Sequence, residues 1–233
     1  MEVIILAGGF GTRLQSVVKN IPKPMAEINS KPFLEYLLQH LLKYGIKSII
    51  LSVGYQQDII KNHFKNSYKD IPIKYSCEDK ALGTGGAIKK ALEVVDSTTN
   101  RVFVVNGDTF FNLDLDELEK FNASLDSDIT LSLKNMKNFD RYGSVEVDYN
   151  IVKSFKEKKF YKEALINCGV YIIKKDIFKR VKTADIFSFE EFLENCLEDI
   201  KVSAYISNNS YFIDIGIPSD YKKAQIDFIN MKI

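Results

Sequence analysis

The stretch LAGGFGTRL, residues 6–14, closes an apolar run that begins at Val3 and sets Gly8, Gly9 and Gly11 beside Thr12 and Arg13. A β-type run that stops at a glycine cluster marks a strand followed by a tight turn. Glycines let successive backbone N–H groups curl around an anion without side-chain obstruction, and an arginine adds a forked cation suited to phosphate oxygens. Taken by itself, the cluster reads equally well as a bare strand-to-helix turn. Two nucleotide motifs match it poorly. A dinucleotide fingerprint requires glycine where Leu14 stands and an acid closing the second strand, which here reads LSVGY at 51–55. A Walker loop ends in Gly-Lys-Ser/Thr, and this chain has Gly11-Thr12-Arg13.

Outward from this turn, residues 2–106 alternate short β-type runs with amphipathic segments. Strands are predicted at 3–7, 48–53, 71–75 and 102–106, and helices at 32–44, 56–64 and 84–95. That alternation predicts βαβ units and a mainly parallel sheet covered on both faces. In PFLEYLLQHLLKYG, Pro32 opens a helix, Gly45 lies just past its end, and Phe33, Leu34, Leu37, Leu38, Leu41 and Leu42 form one stripe. After residue 128 the pattern turns to strand-like pieces, DITLSL, GSVEVD, IVKSF and NCGVYII, which predicts an antiparallel or mixed extension of the sheet. Helices return in SFEEFLENCLED, where Ser188 and Glu191 have capping-box spacing, and in PSDYKKAQIDFI, where Pro218 takes a first helical position. The expected architecture is α/β, a mixed, mainly parallel sheet flanked by helices, in one unit over residues 1–233 whose halves meet near residue 127.

Composition narrows the ligands. Of 233 residues, 45% are apolar and 27% charged, and the formal net charge is +1. This balance is ordinary for a globular chain and gives no electrostatic reason to expect a nucleic acid or an anionic membrane. The opening MEVIILAGG has an acid where a secretion signal needs basic residues, and its apolar run is too short for a membrane span. A buried strand of a cytoplasmic protein is expected. Cys77, Cys168 and Cys196 are odd in number and widely spaced, so they read as packing residues, without a disulfide framework or a zinc site.

Four further segments carry chemistry. IPKPMAEI, residues 21–28, sets Lys23 between two prolines, which fix their own φ and push the preceding residue out of the helical region. The lysine is therefore presented on stiff backbone. EDKALGTGGAIKKA brings Gly83, Gly85 and Gly86 into a helix start, with Thr84 as a candidate N-cap, and this bend could let a flat base or ribose lie against the backbone. VFVVNGDTF and YFIDIGIPSDY place Asp108 and Asp214 at the ends of two strands far apart in sequence. Two carboxylates beside a phosphate loop are hard oxygen ligands of the kind Mg²⁺ takes, with substrate phosphates completing its shell. Either aspartate alone also reads as a turn or cap residue.

Taken in this order, LAGGFGTRL, PKPM, LGTGGA, NGD and IDIG resemble the sugar-1-phosphate nucleotidyltransferases over nearly the whole chain. The resemblance implies a Rossmann-like nucleotide-diphospho-sugar transferase fold, with a nucleotide-binding half at about 1–127 and a sugar-phosphate-binding half at about 128–233. It implies that Leu6, Ala7, Gly8, Gly9, Gly11, Thr12 and Arg13 hold the nucleotide phosphates, that Lys23 stands between nucleotide and sugar phosphates, and that Gly83 and Thr84 border the nucleoside. Asp108 and Asp214 match its metal-binding aspartates. Gly143 of RYGSVEVD, Glu157 and Lys158 of SFKEKKF, and Asn167 of INCGVYII match its sugar-phosphate pocket. The chain departs from the family pattern at Lys159, where a proline usually follows the lysine, and the run KSFKEKKFYK taken alone reads as a solvated face.

The implied reaction is attack by a sugar 1-phosphate oxygen on the α-phosphorus of a nucleoside triphosphate, with release of pyrophosphate. That nucleophile is already ionised, so no general base is required, in keeping with His40 and His63 falling in helical segments away from every motif. Positioning and charge compensation are required instead. Glu78 could accept the N1–H and N2–H₂ edge of guanine, a pattern uracil and thymine cannot offer. The expected partners are GTP or another nucleoside triphosphate and a sugar 1-phosphate, with Mg²⁺ as cofactor and a homo-oligomer left open. Alternatives are guanylyl transfer to mannose 1-phosphate, uridylyl transfer to N-acetylmuramic acid 1-phosphate, and a non-catalytic nucleotide-sugar sensor. A sensor usually lacks one of the arginine, the lysine and the two aspartates, and all four are present here.

Overall fold

The computed structural model of the chain describes residues 1–9, 14, 18 and 20–231. Its elements in order are β1 (Glu2–Leu6), β2 (Glu27–Ile28), β3 (Lys31–Pro32), α1 (Phe33–Leu41), β4 (Ile49–Val53), α2 (Gln57–Phe64), β5 (Ser67–Tyr68), β6 (Ile71–Cys77), α3 (Gly83–Leu92), β7 (Arg101–Asn106), β8 (Thr109–Phe111) and α4 (Leu115–Leu125). They continue with β9 (Ile129–Phe139), β10 (Ser144–Asp148), β11 (Ile151–Lys156), β12 (Tyr161–Lys174), α5 (Ile177–Arg180), α6 (Phe189–Cys196), β13 (Val202–Ile206), β14 (Phe212–Asp214) and α7 (Pro218–Asn230).

Among the described residues one sheet of ten strands runs in the order β10-β11-β13-β9-β12-β7-β1-β4-β6-β5. The strands β7, β1, β4 and β6 are mutually parallel. β12 inserts antiparallel between β7 and β9, so a single mixed sheet passes through both halves of the chain. β8 and β14 form a separate antiparallel ribbon that pairs Asp214 with Thr109.

The run VIIL has no polar alternation because β1 is covered on both faces. Val3, Ile4 and Ile5 are fully buried. Strand geometry sends Val3 and Ile5 into one apolar layer, with Leu34 and Leu38 of α1 and Phe228 of α7, and Ile4 into the opposite layer, with Ile88 of α3 and Leu193 of α6. Helix signals act as read: a short 3-10 turn after α1 closes on Gly45 at φ 59°, Ser188 accepts the Glu191 N–H at the start of α6, and Pro218 opens α7.

The acid of MEVIIL is a buried clamp at the end of the sheet away from the glycine turn. Glu2 is 4% exposed and accepts from Ser48 Oγ at 2.5 Å, Asp96 N and Thr99 Oγ1 at 2.8 Å, and Lys74 Nζ at 3.3 Å. Burial alone would raise its pKa, but these donors outweigh burial and hold it below the usual carboxylate range. Cys168 and Cys196 are buried and Cys77 half-buried, all as free thiols. No described helix is long and apolar enough to cross a membrane.

Candidate functional site

Register brings the C-terminal ends of the central strands together. Leu6 lies opposite Ser52 and Asn106, and Val53 opposite Cys77, so the chain leaves four neighbouring strands at one edge, where α/β sheets bind ligands. A cavity of about 690 Å³ opens there, within the size range of small-molecule sites. Its walls include Leu6, Ala7, Gly8, Gly9, Lys23, Glu78, Gly83, Thr84 and Asp108, which places nine of the residues expected around a nucleotide on one hollow. Gly11, Thr12 and Arg13 lie outside the described residues.

Glu78 follows β6 and is half-buried at the cavity wall. Its Oε2 accepts the Leu82 N–H at 3.1 Å, and its Oε1 lies 3.4 Å from Ser52 Oγ. A carboxylate oxygen has two lone pairs, so each still has room for a donor from the cavity.

The helix start after Glu78 corrects one expectation. Thr84 is not the N-cap of α3, which begins a residue earlier with Leu82 at the cap. The Thr84 hydroxyl instead accepts the Phe189 N–H of α6 at 2.8 Å and donates to Glu190 at 3.2 Å. In return the Phe187 carbonyl accepts from Gly85 N at 3.0 Å and Gly86 N at 3.4 Å. Each helix thus satisfies the other's free N–H groups. Gly83 has φ +73°, and a Cβ on Gly85 would meet the Phe187 ring at 2.2 Å. Gly85 therefore serves the α3–α6 junction, while Gly83 and Thr84 also border the cavity.

Lys23 sits at the start of the 3-10 turn Lys23–Met25, with Pro22 at φ −63°, ψ 145° before it. Its Nζ donates to Asp108 Oδ2 at 3.0 Å, with the side chains 16% and 31% exposed. The β8–β14 ribbon carries Asp214 to the same place, and the Ile215 N–H bonds the Asp108 carbonyl at 3.0 Å. The Gly216 N–H donates to Asp214 Oδ1 at 2.7 Å. A Cβ on Gly216 would lie 2.8 Å from that oxygen and 3.4 Å from Lys23 Nζ, so a bare backbone lets the two charged groups crowd together. Burial first, and then the charge of Asp108, raise the Asp214 carboxyl above its ordinary range, against the pull of Gly216 N–H, Lys23 and Arg141.

Among the described residues no group of three or more His, Cys, Asp and Glu gathers around a common point. The donor set on offer is the carboxylate pair Asp108 and Asp214, whose mutual repulsion marks a surplus of negative charge. Two hard oxygens with phosphates and water to complete the shell suit Mg²⁺, so the residues present fit such an ion.

The residues expected at the sugar phosphate are not among those that line the cavity. A Cβ on Gly143 would stand 2.6 Å from the Lys156 carbonyl. Glu157 and Lys158 follow on an exposed loop, with the Glu157 carbonyl held by Tyr161 Oη at 3.0 Å. Asn167 lies where β12 shifts register against β9, and its amide bonds Tyr171 Oη at 2.8 Å and Gly169 N at 3.1 Å. The structure also brings in further residues. Ser52, Gly54, Tyr55, Gln57 and Asn106 line the cavity; of these, Gly54, a glycine directly after a strand, is the one whose type and position could have found it. Arg141 approaches Asp214 at 3.6 Å; it opens the RYGSVEVD stretch quoted above for Gly143, which was the available signal.

Fold and site together define a nucleotide-handling α/β transferase, and the comparisons agree. The model of the nucleotidyl transferase family matches residues 2–230, and the chain belongs to that family. It is 52% identical over 222 residues to a D-glycero-α-D-manno-heptose 1-phosphate guanylyltransferase of Campylobacter jejuni, covering 95% of this chain and 97% of that one. It is 50% identical over 226 residues to an enzyme of the same name from Aneurinibacillus thermoaerophilus, covering 97% of each. Among solved structures, HddC from Yersinia pseudotuberculosis complexed with GMP-PN superposes with a TM-score of 0.84 at 40% identity, covering 97% of this chain and 99% of that one. The stretch GTRLQSVVKNIPKPMAEI, residues 11–28, bears the same likeness to heptose 1-phosphate guanylyltransferases.

Proposed function

We propose that this chain transfers the guanylyl group of GTP to D-glycero-α-D-manno-heptose 1-phosphate, forming GDP-heptose and pyrophosphate. The observation that carries the transferase reading is Lys23 at 3.0 Å from Asp108 on the cavity wall, with Asp214 beside them. The guanine and heptose assignments rest on the similarity to the two heptose 1-phosphate guanylyltransferases.

In this reading an ionised oxygen of the sugar phosphate forms a bond to the α-phosphorus of GTP as the bond to the bridging oxygen breaks, and pyrophosphate leaves with that oxygen. No side chain needs to take a proton from the nucleophile. The chain positions two polyanions and offsets their charge, which is the main contribution a protein makes to phosphoryl-type transfer. Lys23, fixed by its flanking prolines, lies between the two phosphates. Gly8, Gly9, Gly11, Thr12 and Arg13 receive the β- and γ-phosphates, Glu78 reads the guanine edge, and Gly83 and Thr84 border the nucleoside. Gly143, Glu157, Lys158 and Asn167 take the sugar phosphate. Asp108 and Asp214 would hold Mg²⁺, which supplies further charge neutralisation at the α-phosphate.

The test is pyrophosphate release by purified protein with Mg²⁺, four nucleoside triphosphates and a panel of hexose and heptose 1-phosphates. Release is expected with GTP and D-glycero-α-D-manno-heptose 1-phosphate above every other pair. Faster turnover of mannose 1-phosphate, or of UTP with N-acetylmuramic acid 1-phosphate, would reassign the substrates. Silence with every pair would overturn the transferase reading and leave a nucleotide-sugar sensor.

A further inference from the structure

The carboxylates Asp108 and Asp214 are each met by a cation. Lys23 serves Asp108, and among the described residues the cation within ion-pair distance of Asp214 is Arg141, with Nη2 at 3.6 Å from Oδ2. Lys23 comes from the first half of the chain and Arg141 from the second.

Arg141 is held as a tool rather than as a loose surface charge. Its Nη1 donates to Asp220 Oδ2 at 2.5 Å, in the first turn of α7. Its Nη2 donates to Tyr142 Oη at 3.1 Å, and the guanidinium lies 5.3 Å from the centre of the Tyr142 ring. That ring is wedged edge-on against Phe212. The plane of the fork is therefore set by packing as well as by hydrogen bonds. Its donors are not all spent. Arg141 Nε is buried without a hydrogen-bond partner among the described residues, and the approach to Asp214 is longer than a hydrogen bond. Two residues on, Gly143 abuts the Lys156 carbonyl, from which the chain runs directly to Glu157 and Lys158.

We propose that Arg141 grips the phosphate of the sugar 1-phosphate, with Asp220 as the positioning residue that aims it. The inference rests on the transferase reading. Once the charge of Asp214 is met by a divalent cation, the long 3.6 Å contact has little left to hold, and the Nη2 N–H now nearest Asp214 is free for a second anion. Guanidinium matches the spacing of two phosphate oxygens, whereas an ammonium offers only a point charge.

The experiment is steady-state kinetics on wild type, R141Q, R141K and D220N with GTP and the sugar 1-phosphate that wild type turns over best. Thermal melting is recorded alongside, with and without that sugar 1-phosphate, in the presence of Mg²⁺ and a GTP analogue bearing a methylene between the α- and β-phosphorus. Loss of a charged hydrogen-bonding pair predicts that R141Q raises KM for the sugar 1-phosphate by about 10- to 100-fold, leaves KM for GTP unchanged and loses the melting shift given by the sugar 1-phosphate. R141K is expected between R141Q and wild type, and D220N to raise the same KM less. A lower Tm with both KM values and the ligand shift intact makes Arg141 a structural residue and overturns the inference. A parallel rise in KM for GTP overturns it as well. If wild type itself releases no pyrophosphate from any pair, the transferase reading falls and takes this inference with it; an active wild type beside an unaltered R141Q sinks the inference alone.

Discussion

Lys23 and Asp108, separated by 85 residues in sequence, form an ion pair with Nζ 3.0 Å from Oδ2. Neither residue could find the other by local structure: the lysine stands in a proline-bounded turn, and the aspartate stands just past the end of β7. Lys23→Gln keeps a polar side chain but shortens it and removes its charge. The expected outcome is a fall in kcat of about 100- to 1000-fold, the size seen when a fixed electrostatic donor is removed from a transition state. Melting temperature should fall only modestly, since the pair is partly exposed. Stopped pyrophosphate-release assays and calorimetry on the same preparation check both halves.

Asp214 is expected to limit stability in the absence of metal. Its carboxyl is raised from the ordinary value of 3.8, by burial and then by Asp108. A carboxyl that binds its proton more readily when folded works against folding once pH climbs past its unfolded pKa, because ionisation is then easier in the unfolded chain. Asp214→Asn retains an Oδ1 acceptor for Gly216 while discarding the charge. At neutral pH in chelator the variant should melt above wild type, and it should lose the rise in Tm that Mg²⁺ gives wild type. An unchanged response to Mg²⁺ would remove Asp214 from the metal site.

His40 sets an acid limit that has nothing to do with catalysis. It is buried in α1 with Nε2 3.0 Å from the Leu113 carbonyl, and its Nδ1 has no partner among the described residues. Burial pushes its pKa down from 6.5 to about 4. Below 6.5 the unfolded chain takes up a proton that the folded one refuses, so stability is full above that pH and declines as pH falls toward 4. A shift of this size is worth about 3 kcal/mol. His40→Gln should show a flatter stability profile between those two values in urea titrations, and a profile as steep as wild type would clear His40 of the effect.

The junction of α3 with α6 should be sensitive to single methyl groups. Gly83 has φ +73° and would bring a Cβ within 2.4 Å of the Phe187 carbonyl, while at Gly85 the clash is with the Phe187 ring. Gly85→Ala is expected to cost about 1–3 kcal/mol as overpacking. Gly83→Ala should cost more, because backbone must move and a left-handed φ is strained for alanine. Gly83 lines the cavity, so its variant should also raise KM for GTP. Chemical denaturation together with GTP titration separates the two effects.

The sequence and the structure differ in an instructive way here. The alternation of VIIL, LSV and VFVV with amphipathic helices gives the parallel block because each signal is local: buried strands lack polar alternation, and helices carry a stripe. The PKP turn and the glycine turn are legible for the same reason. What local reading could not place is the β8–β14 ribbon, whose three-residue strands pair Thr109 with Asp214 across about half the chain. Arg141 escaped although it opens RYGSVEVD, because that motif is read through Gly143 alone and the approach of Arg141 to Asp214 joins segments far apart in sequence. Thr84 was misjudged because its competitor for the cap role, the Phe187 carbonyl, comes from a segment over a hundred residues away.

Glu78 offers the sharpest handle on the base. Its two oxygens already accept from Leu82 N at 3.1 Å and, more weakly, from Ser52 Oγ at 3.4 Å, which fixes the carboxylate plane against the cavity wall and leaves one lone pair on each oxygen. Guanine presents two adjacent donors, N1–H and N2–H₂, to such a pair, whereas uracil and thymine present a single N–H between two carbonyls. Glu78→Gln turns one acceptor into a donor that opposes the guanine edge and suits a pyrimidine carbonyl. The expected result is a fall in kcat/KM for GTP of about 10- to 100-fold, the worth of one charged hydrogen bond, with a smaller change or a gain for UTP. Equal losses with both nucleotides would mean that Glu78 only holds Leu82 and the start of α3, and the guanine reader would have to be sought elsewhere on the cavity wall.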